Sequence, residues 1–146
     1  MRNEKELLLH AWGADDPKVP GWQRLLLPLL RPLLIRLVCR SFRVNDEHYA
    51  KAMHNFDELL ADIDTRLADG RRSILGGDTI NYTDITFASF CGLWAQCEGY
   101  GGGMADDCRI EREDMPAAMQ TDIKRWVEDY PRATRFIEEL YVAERN

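Results

Sequence analysis

Ile74-Leu75-Gly76-Gly77-Asp78-Thr79-Ile80-Asn81-Tyr82-Thr83-Asp84-Ile85 is the densest structural signal in the chain. Gly76 and Gly77 mark a loop. Asn81 is an N-cap candidate, and Asp84, three residues on, can reach back to the amide of the cap. Ile80 and Ile85 stand at the two positions of a hydrophobic staple. Together Ile80, Asn81, Asp84 and Ile85 predict a capping box and staple opening a helix. Removing Asp84 is expected to cost on the order of 1 kcal/mol or more in stability and nothing directly in chemistry.

The helix that follows carries Ile85, Phe87, Ala88, Phe90, Cys91, Leu93, Trp94, Ala95 and Cys97. It is apolar nearly all round, so the expectation is a central helix over about 82–97 wrapped by others. Before it, Tyr49, Met53, Phe56, Leu60, Ile63 and Leu67 recur at spacings of 4, 3, 4, 3 and 4. That is one face of an amphipathic helix. Asn45 can cap it, Val44 and Tyr49 can staple it, and Gly70 stops it.

Outward from these, Asn3 with Glu6 suggests a short first helix, with Leu7 to Trp12 as its body, followed by a loop through Gly21. Trp22 to Arg43 reads as a leucine-rich helix that either starts near Pro28 or kinks there, because Pro28 and Pro32 each remove a donor. Residues 99–114 read as a loop. Pro116 opens a helix with Met119, Ile123, Trp126 and Val127 on its face, and Pro131 opens another with Ala133, Phe136, Ile137, Leu140 and Tyr141. The expected fold class is all-α, a bundle of five or six helices in one domain over 1–146: a short helix and loop to residue 21, then the bundle over 22–145.

The chain has 146 residues, 45% apolar and 30% charged, with a net charge of −6, which suits one globular domain. That balance argues against free nucleic acid as a partner. Residues 1–43 hold eight basic and four acidic side chains, a net of +4, while residues 44–146 net −10. The basic front is either a docking surface or a set of solvated arginines. No secretory leader is read from the charged start (Arg2, Glu4, Lys5, Glu6). Leu25 to Val38, broken by Arg31 and Arg36, is too short to span a bilayer.

The stretch 74–85 resembles the signature of the C-terminal helical domain of glutathione transferases. That family shows Leu-x-Gly, a short gap and Ser/Thr-x-x-Asp before an apolar helix. Here Asn81 stands in the cap position and caps equally well. The resemblance extends over 22–145, with its specificity in 74–94. It implies a domain that supplies one wall of a hydrophobic-substrate pocket and part of a dimer interface. The catalytic residue of the family belongs to a thioredoxin-like domain, which nothing before residue 22 can form. The expectation is thus a transferase-type helical domain that is not catalytically competent alone. Glutathione enters as a cofactor only through the resemblance.

Other chemistry is weakly signalled. His48 and His54 are six apart, and His10 is remote, so no metal-ligand spacing exists. Cys39, Cys91, Cys97 and Cys108 contain no CxxC pair. Free thiols suit a reducing, cytoplasmic setting. Cys91 and Cys97 read as inert core thiols, and Cys108 lies beside Asp106 and Asp107, which disfavour its thiolate. Those acids with Glu111, Glu113 and Asp114 lack the EF-hand spacing. Gly101-Gly102-Gly103 lacks the lysine of a phosphate loop.

Leu25 to Val38 is either an ordinary core-facing helix or a surface left bare for a partner. In the second reading Arg24, Arg31, Arg36 and Arg40 form a docking face, and the partner is a second copy or a thioredoxin-like domain. A stand-alone assembly module is therefore one alternative function. A carrier of small hydrophobic ligands is another, with Trp22, Trp94, Tyr100 and Trp126 as the aromatic wall. The same aromatics also read as core packing.

Overall fold

The computed structural model describes residues 4–14, 16–97, 100 and 109–143. The proposed cap Asn3, the glycines at 99 and 101–103, Asp106, Asp107 and Cys108 lie outside these. Six α-helices follow in order: α1 (Glu4–Ala11), α2 (Gly21–Ser41), α3 (Asp46–Arg66), α4 (Tyr82–Ala95), α5 (Ala117–Asp129) and α6 (Pro131–Ala143). There is no strand among the described residues.

α3 starts where its cap says it should. The Asn45 backbone is extended, and its side chain accepts the His48 N–H at 2.8 Å. Asp46 and Glu47 sit in the first turn, where the helix dipole favours acids. Leu60 and Ile63 are buried, with Met53 and Phe56 packed against the core. Tyr49, first in the stripe, is exposed, and its hydroxyl donates to Asp122 of α5 at 3.3 Å. The helix tightens into a 3-10 turn over Leu67–Asp69 and stops at Gly70, whose φ of 79° favours a residue without Cβ.

α4 packs most extensively on α6, with α3 and α5 also against α6. Ala133 and Ile137 of α6 are fully buried, and Phe136 and Leu140 nearly so. Trp94 of α4 lies 5.1 Å from Trp126 of α5, and Phe56 of α3 lies 4.9 Å from Trp126. Three helices thus meet in one aromatic cluster. Gly92 of α4 has a packing reason. A methyl there would strike the Tyr141 hydroxyl and come within 2.6 Å of the Tyr100 ring.

Two expectations change. α4 is not wrapped all round. Phe87, Ala88, Cys91, Trp94 and Ala95 are buried, but Tyr82, Ile85, Phe90 and Leu93 are exposed. The described neighbours cover one side of a helix that is apolar nearly all round, so the other side stays exposed. α4 also ends at Ala95, before the expected 97. Gln96 turns left-handed at φ 50°, and the Arg112 guanidinium donates to the Ala95 carbonyl at 3.1 Å.

α2 is a single helix with both prolines inside it, and none of its residues is buried. Of the two readings of Leu25 to Val38, the bare surface is the one observed. Leu25 is 80% exposed, Leu29 73% and Leu33 63%. Its inner side, at Arg31 and Ile35, borders Leu7 and Leu8 of α1 and Met119 of α5 around a small apolar hollow.

Candidate functional site

The loop 71–81 and the start of α4 are tied together by two side chains. Asn81 accepts the Thr83 N–H at 2.8 Å, and its amide donates to the buried Ser73 hydroxyl at 2.7 Å. Asp84 is fully buried. One carboxylate oxygen accepts the Asn81 N–H at 2.8 Å, and the other accepts the Ile74 N–H at 2.8 Å. Asp84 therefore caps α4 and also anchors the preceding loop. A carboxylate accepting two backbone N–H groups satisfies the burial of its charge. Its place in the turn accounts for its burial without any catalytic role. Ile80 packs against the core, while Ile85 remains 54% exposed.

The anchored loop closes one end of an apolar groove between α3 and α4. The groove encloses about 710 Å³, and its walls include Phe56, Leu59, Ile63, Leu75, Phe87 and Phe90. Asp62 and Arg66, paired at 2.8 Å, stand at its polar margin. Leu59, Leu75, Tyr82 and Phe90 are exposed along it, continuous with the bare side of α4. Such a surface can take an apolar molecule or an apolar protein face.

Among the described residues, its lining holds no histidine and one thiol. Cys91 touches the groove, but burial pushes its thiol up to about 12. It stays a thiol at neutral pH. Burial, then the Glu138 charge, also raises Cys97. The histidines lie in structural contacts: His10 Nε2 lies 3.3 Å from the Arg109 carbonyl, His48 bonds its cap Asn45, and His54 sits 3.4 Å from Glu58. No group of side chains suited to a metal ion occurs among the described residues.

Of the four aromatic residues proposed as a wall, Trp94 and Trp126 meet in the core, while Trp22 and Tyr100 lie apart from them. Trp22 is exposed on α2, and Tyr100 lies 6.0 Å from Tyr141. None of the four lines the groove, whose aromatic lining is Phe56, Tyr82, Phe87 and Phe90. The four arginines do not share one side of α2 either. Arg24 and Arg31, seven apart, fall on one side, and Arg36 and Arg40, four apart, on another. Arg31 is half-buried toward α1, while Arg24, Arg36 and Arg40 are exposed.

Two carboxylates of α3 that face α5 and α6, away from the groove, were not singled out in the sequence. Asp57 accepts from Arg125 at 2.9 Å and from the Trp126 indole at 2.8 Å. Asp64 accepts the backbone N–H groups of Arg132 and Ala133 at 2.7 and 3.1 Å. They lie seven residues apart beside the apolar stripe of α3, and this flanking position is the signal that could have found them.

Residues 46–139 match the family described as Glutathione S-transferase, C-terminal domain. No curated protein and no solved structure matches the chain. The matched span covers α3 to α6 almost entirely and leaves α2 outside it. With more than half of its length matched, this all-helical chain belongs to the glutathione S-transferase C-terminal domain family.

Proposed function

We propose that this chain works as the helical half of a transferase-type assembly. It supplies an apolar wall for a hydrophobic molecule and a surface for subunit association, and it does not turn over glutathione by itself. The observation that carries this reading is the uncovered side of α4, where Tyr82, Ile85, Phe90 and Leu93 are exposed next to the α3–α4 groove. A helix that is apolar nearly all round is built to be covered on more than one side. Its cover is a thioredoxin-like domain or a second copy of the chain, in a reducing, cytoplasmic setting that keeps Cys39, Cys91 and Cys97 free.

The test combines three measurements on the purified chain. Calorimetric titration with glutathione and an assay with glutathione and chlorodinitrobenzene are expected to show neither saturable heat nor turnover. Sedimentation equilibrium, alone and with an isolated thioredoxin-like domain, is expected to show self-association or complex formation. Phe90→Asp is expected to weaken that association. Turnover by the chain alone overturns the reading, as does a monomer that binds neither partner.

The groove also favours carriage of a small hydrophobic ligand. Its volume suits a drug-sized apolar molecule. Saturable displacement of anilinonaphthalenesulfonate by such a ligand, lost in Phe90→Asp, is the expected result for this second reading.

A further inference from the structure

α2 carries a second uncovered surface, separate from the groove and outside the family match. Trp22, Leu26, Leu29, Leu33 and Leu37 recur at spacings of 4, 3, 4 and 4, and all are exposed. Leu25 and Leu30 extend the apolar surface beyond that stripe. Aromatic rings stand at both ends, Trp22 at 64% exposure and Phe42, just past the helix, at 76%.

The charge of the segment is one-sided. From Pro17 to Asn45 there is no acidic residue, and there are six basic ones. Arg24, Arg31, Arg36, Arg40 and Arg43 form no ion pair among the described residues. The rest of the chain, 44–146, nets −10.

We infer that α2 lies in the plane of an anionic phospholipid bilayer, with its leucines in the acyl boundary and the exposed Arg24, Arg36, Arg40 and Arg43 on lipid phosphates. Three observations favour this occupant over a protein groove. First, arginines occur on more than one side of α2. In a packed protein interface each desolvated guanidinium needs a carboxylate, whereas at a bilayer surface a long side chain bends back to the headgroups. Second, apolar exposure is wider than the single stripe that a protein groove takes. Third, tryptophan and phenylalanine at the ends suit the headgroup boundary. α2 lies on the membrane and does not cross it: at about 31 Å it matches the hydrocarbon thickness only if its charges are buried, and no helix of the described chain is long and apolar enough to span. The acidic body is repelled by the same lipids, which leaves α2 as the segment that makes contact. This inference stands apart from the transferase-type reading and does not depend on it.

The test is co-sedimentation of the full chain with vesicles of pure phosphatidylcholine, or of phosphatidylcholine with one part in three phosphatidylglycerol. The expected result is binding to the anionic vesicles, weakened by salt, with little binding to the neutral ones. Each arginine near an anionic surface contributes roughly fivefold in affinity, so Arg36→Gln with Arg40→Gln is expected to weaken binding roughly 30-fold. Leu29→Glu with Leu33→Glu is expected to abolish it while far-ultraviolet circular dichroism stays unchanged, since both positions are exposed. Absence of binding to anionic vesicles overturns the inference. So does equal binding to both vesicle types. A dimer that the leucine variants dissociate, without any vesicle binding, assigns α2 to a protein interface and equally overturns it.

Discussion

Asp64 on α3 holds the first turn of α6 through Arg132. One carboxylate oxygen accepts the Arg132 backbone N–H at 2.7 Å, and the other accepts its guanidinium at 2.8 Å. The first oxygen also takes the Ala133 N–H at 3.1 Å. α6 begins with Pro131, which has no N–H, so Asp64 satisfies the next two orphan donors from 68 residues away in sequence. A helix start that other proteins cap locally is capped here across the core.

Asp64→Ala removes this remote cap and leaves the buried Ala133 N–H without its partner. The expected loss is about 2–3 kcal/mol, read from urea denaturation. Arg132→Ala keeps the backbone bonds and loses only a half-exposed guanidinium, so about 1 kcal/mol or less is expected. Equal losses in the two variants would show that the charge pair, and not the cap, carries the effect.

Asp84 and Asn81 share one turn but not one role. Asp84→Ala strands the Ile74 and Asn81 N–H groups together, at an expected cost of about 3 kcal/mol. Asn81→Ala removes one cap bond and the Ser73 contact, for about 1 kcal/mol. Thermal melts of the two variants give the order. The reverse order would remove the loop-anchoring role from Asp84.

Gly92→Ala is expected to destabilise by about 1–3 kcal/mol through overpacking against Tyr100 and Tyr141. The near-ultraviolet circular dichroism of the tyrosines should change with it. An unperturbed spectrum and melt would mean that the rings move aside freely.

The acid limb of the stability curve has a nameable source. Burial pulls the Asp57 carboxyl upward, but the Arg125 and Trp126 hydrogen bonds outweigh it and hold it below its ordinary value of 3.8. A depressed folded value contributes stability that is fully present above the unfolded value and is lost as pH falls through the folded one. Asp69, held at about 2 by Arg71, acts in the same window, though this exposed pair contributes little. Stability is therefore expected to be flat near neutrality and to fall below about pH 4. Asp57→Asn should flatten that fall in denaturation curves taken across the range.

Cys91 should react only through unfolding. Its raised thiol and burial predict that dithionitrobenzoate labels the half-buried Cys39 in the native chain, while Cys91 is labelled in denaturant. Peptide mapping distinguishes the two. Fast native labelling of Cys91 would mean that the α3–α4 groove opens to solvent.

What the sequence made legible was local and periodic. The α3 stripe, the Asn45 and Asn81 caps and the Gly70 stop each lie within a few residues of what they control, and each is read from spacing alone. The family resemblance in 74–94 was legible for the same reason. The two carboxylates of α3 were not, because Asp57 and Asp64 act on partners 68 or 69 residues away. The bare side of α4 was not legible either. Apolarity all round states how many neighbours a helix wants, and does not state how many the chain supplies. The groove aromatics Phe56, Phe87 and Phe90 read as core from the pattern, since a residue at a core edge has the same spacing as one inside it.

α6 supplies Ala133, Phe136, Ile137 and Leu140 to a core whose other walls are made much earlier in the chain. During synthesis, therefore, α3 and α4 leave the ribosome with their inner faces open. They stay so until residues 131–140 have emerged. Closure of the domain is then a late event in translation, and the nascent helices are candidates for chaperone capture in that interval.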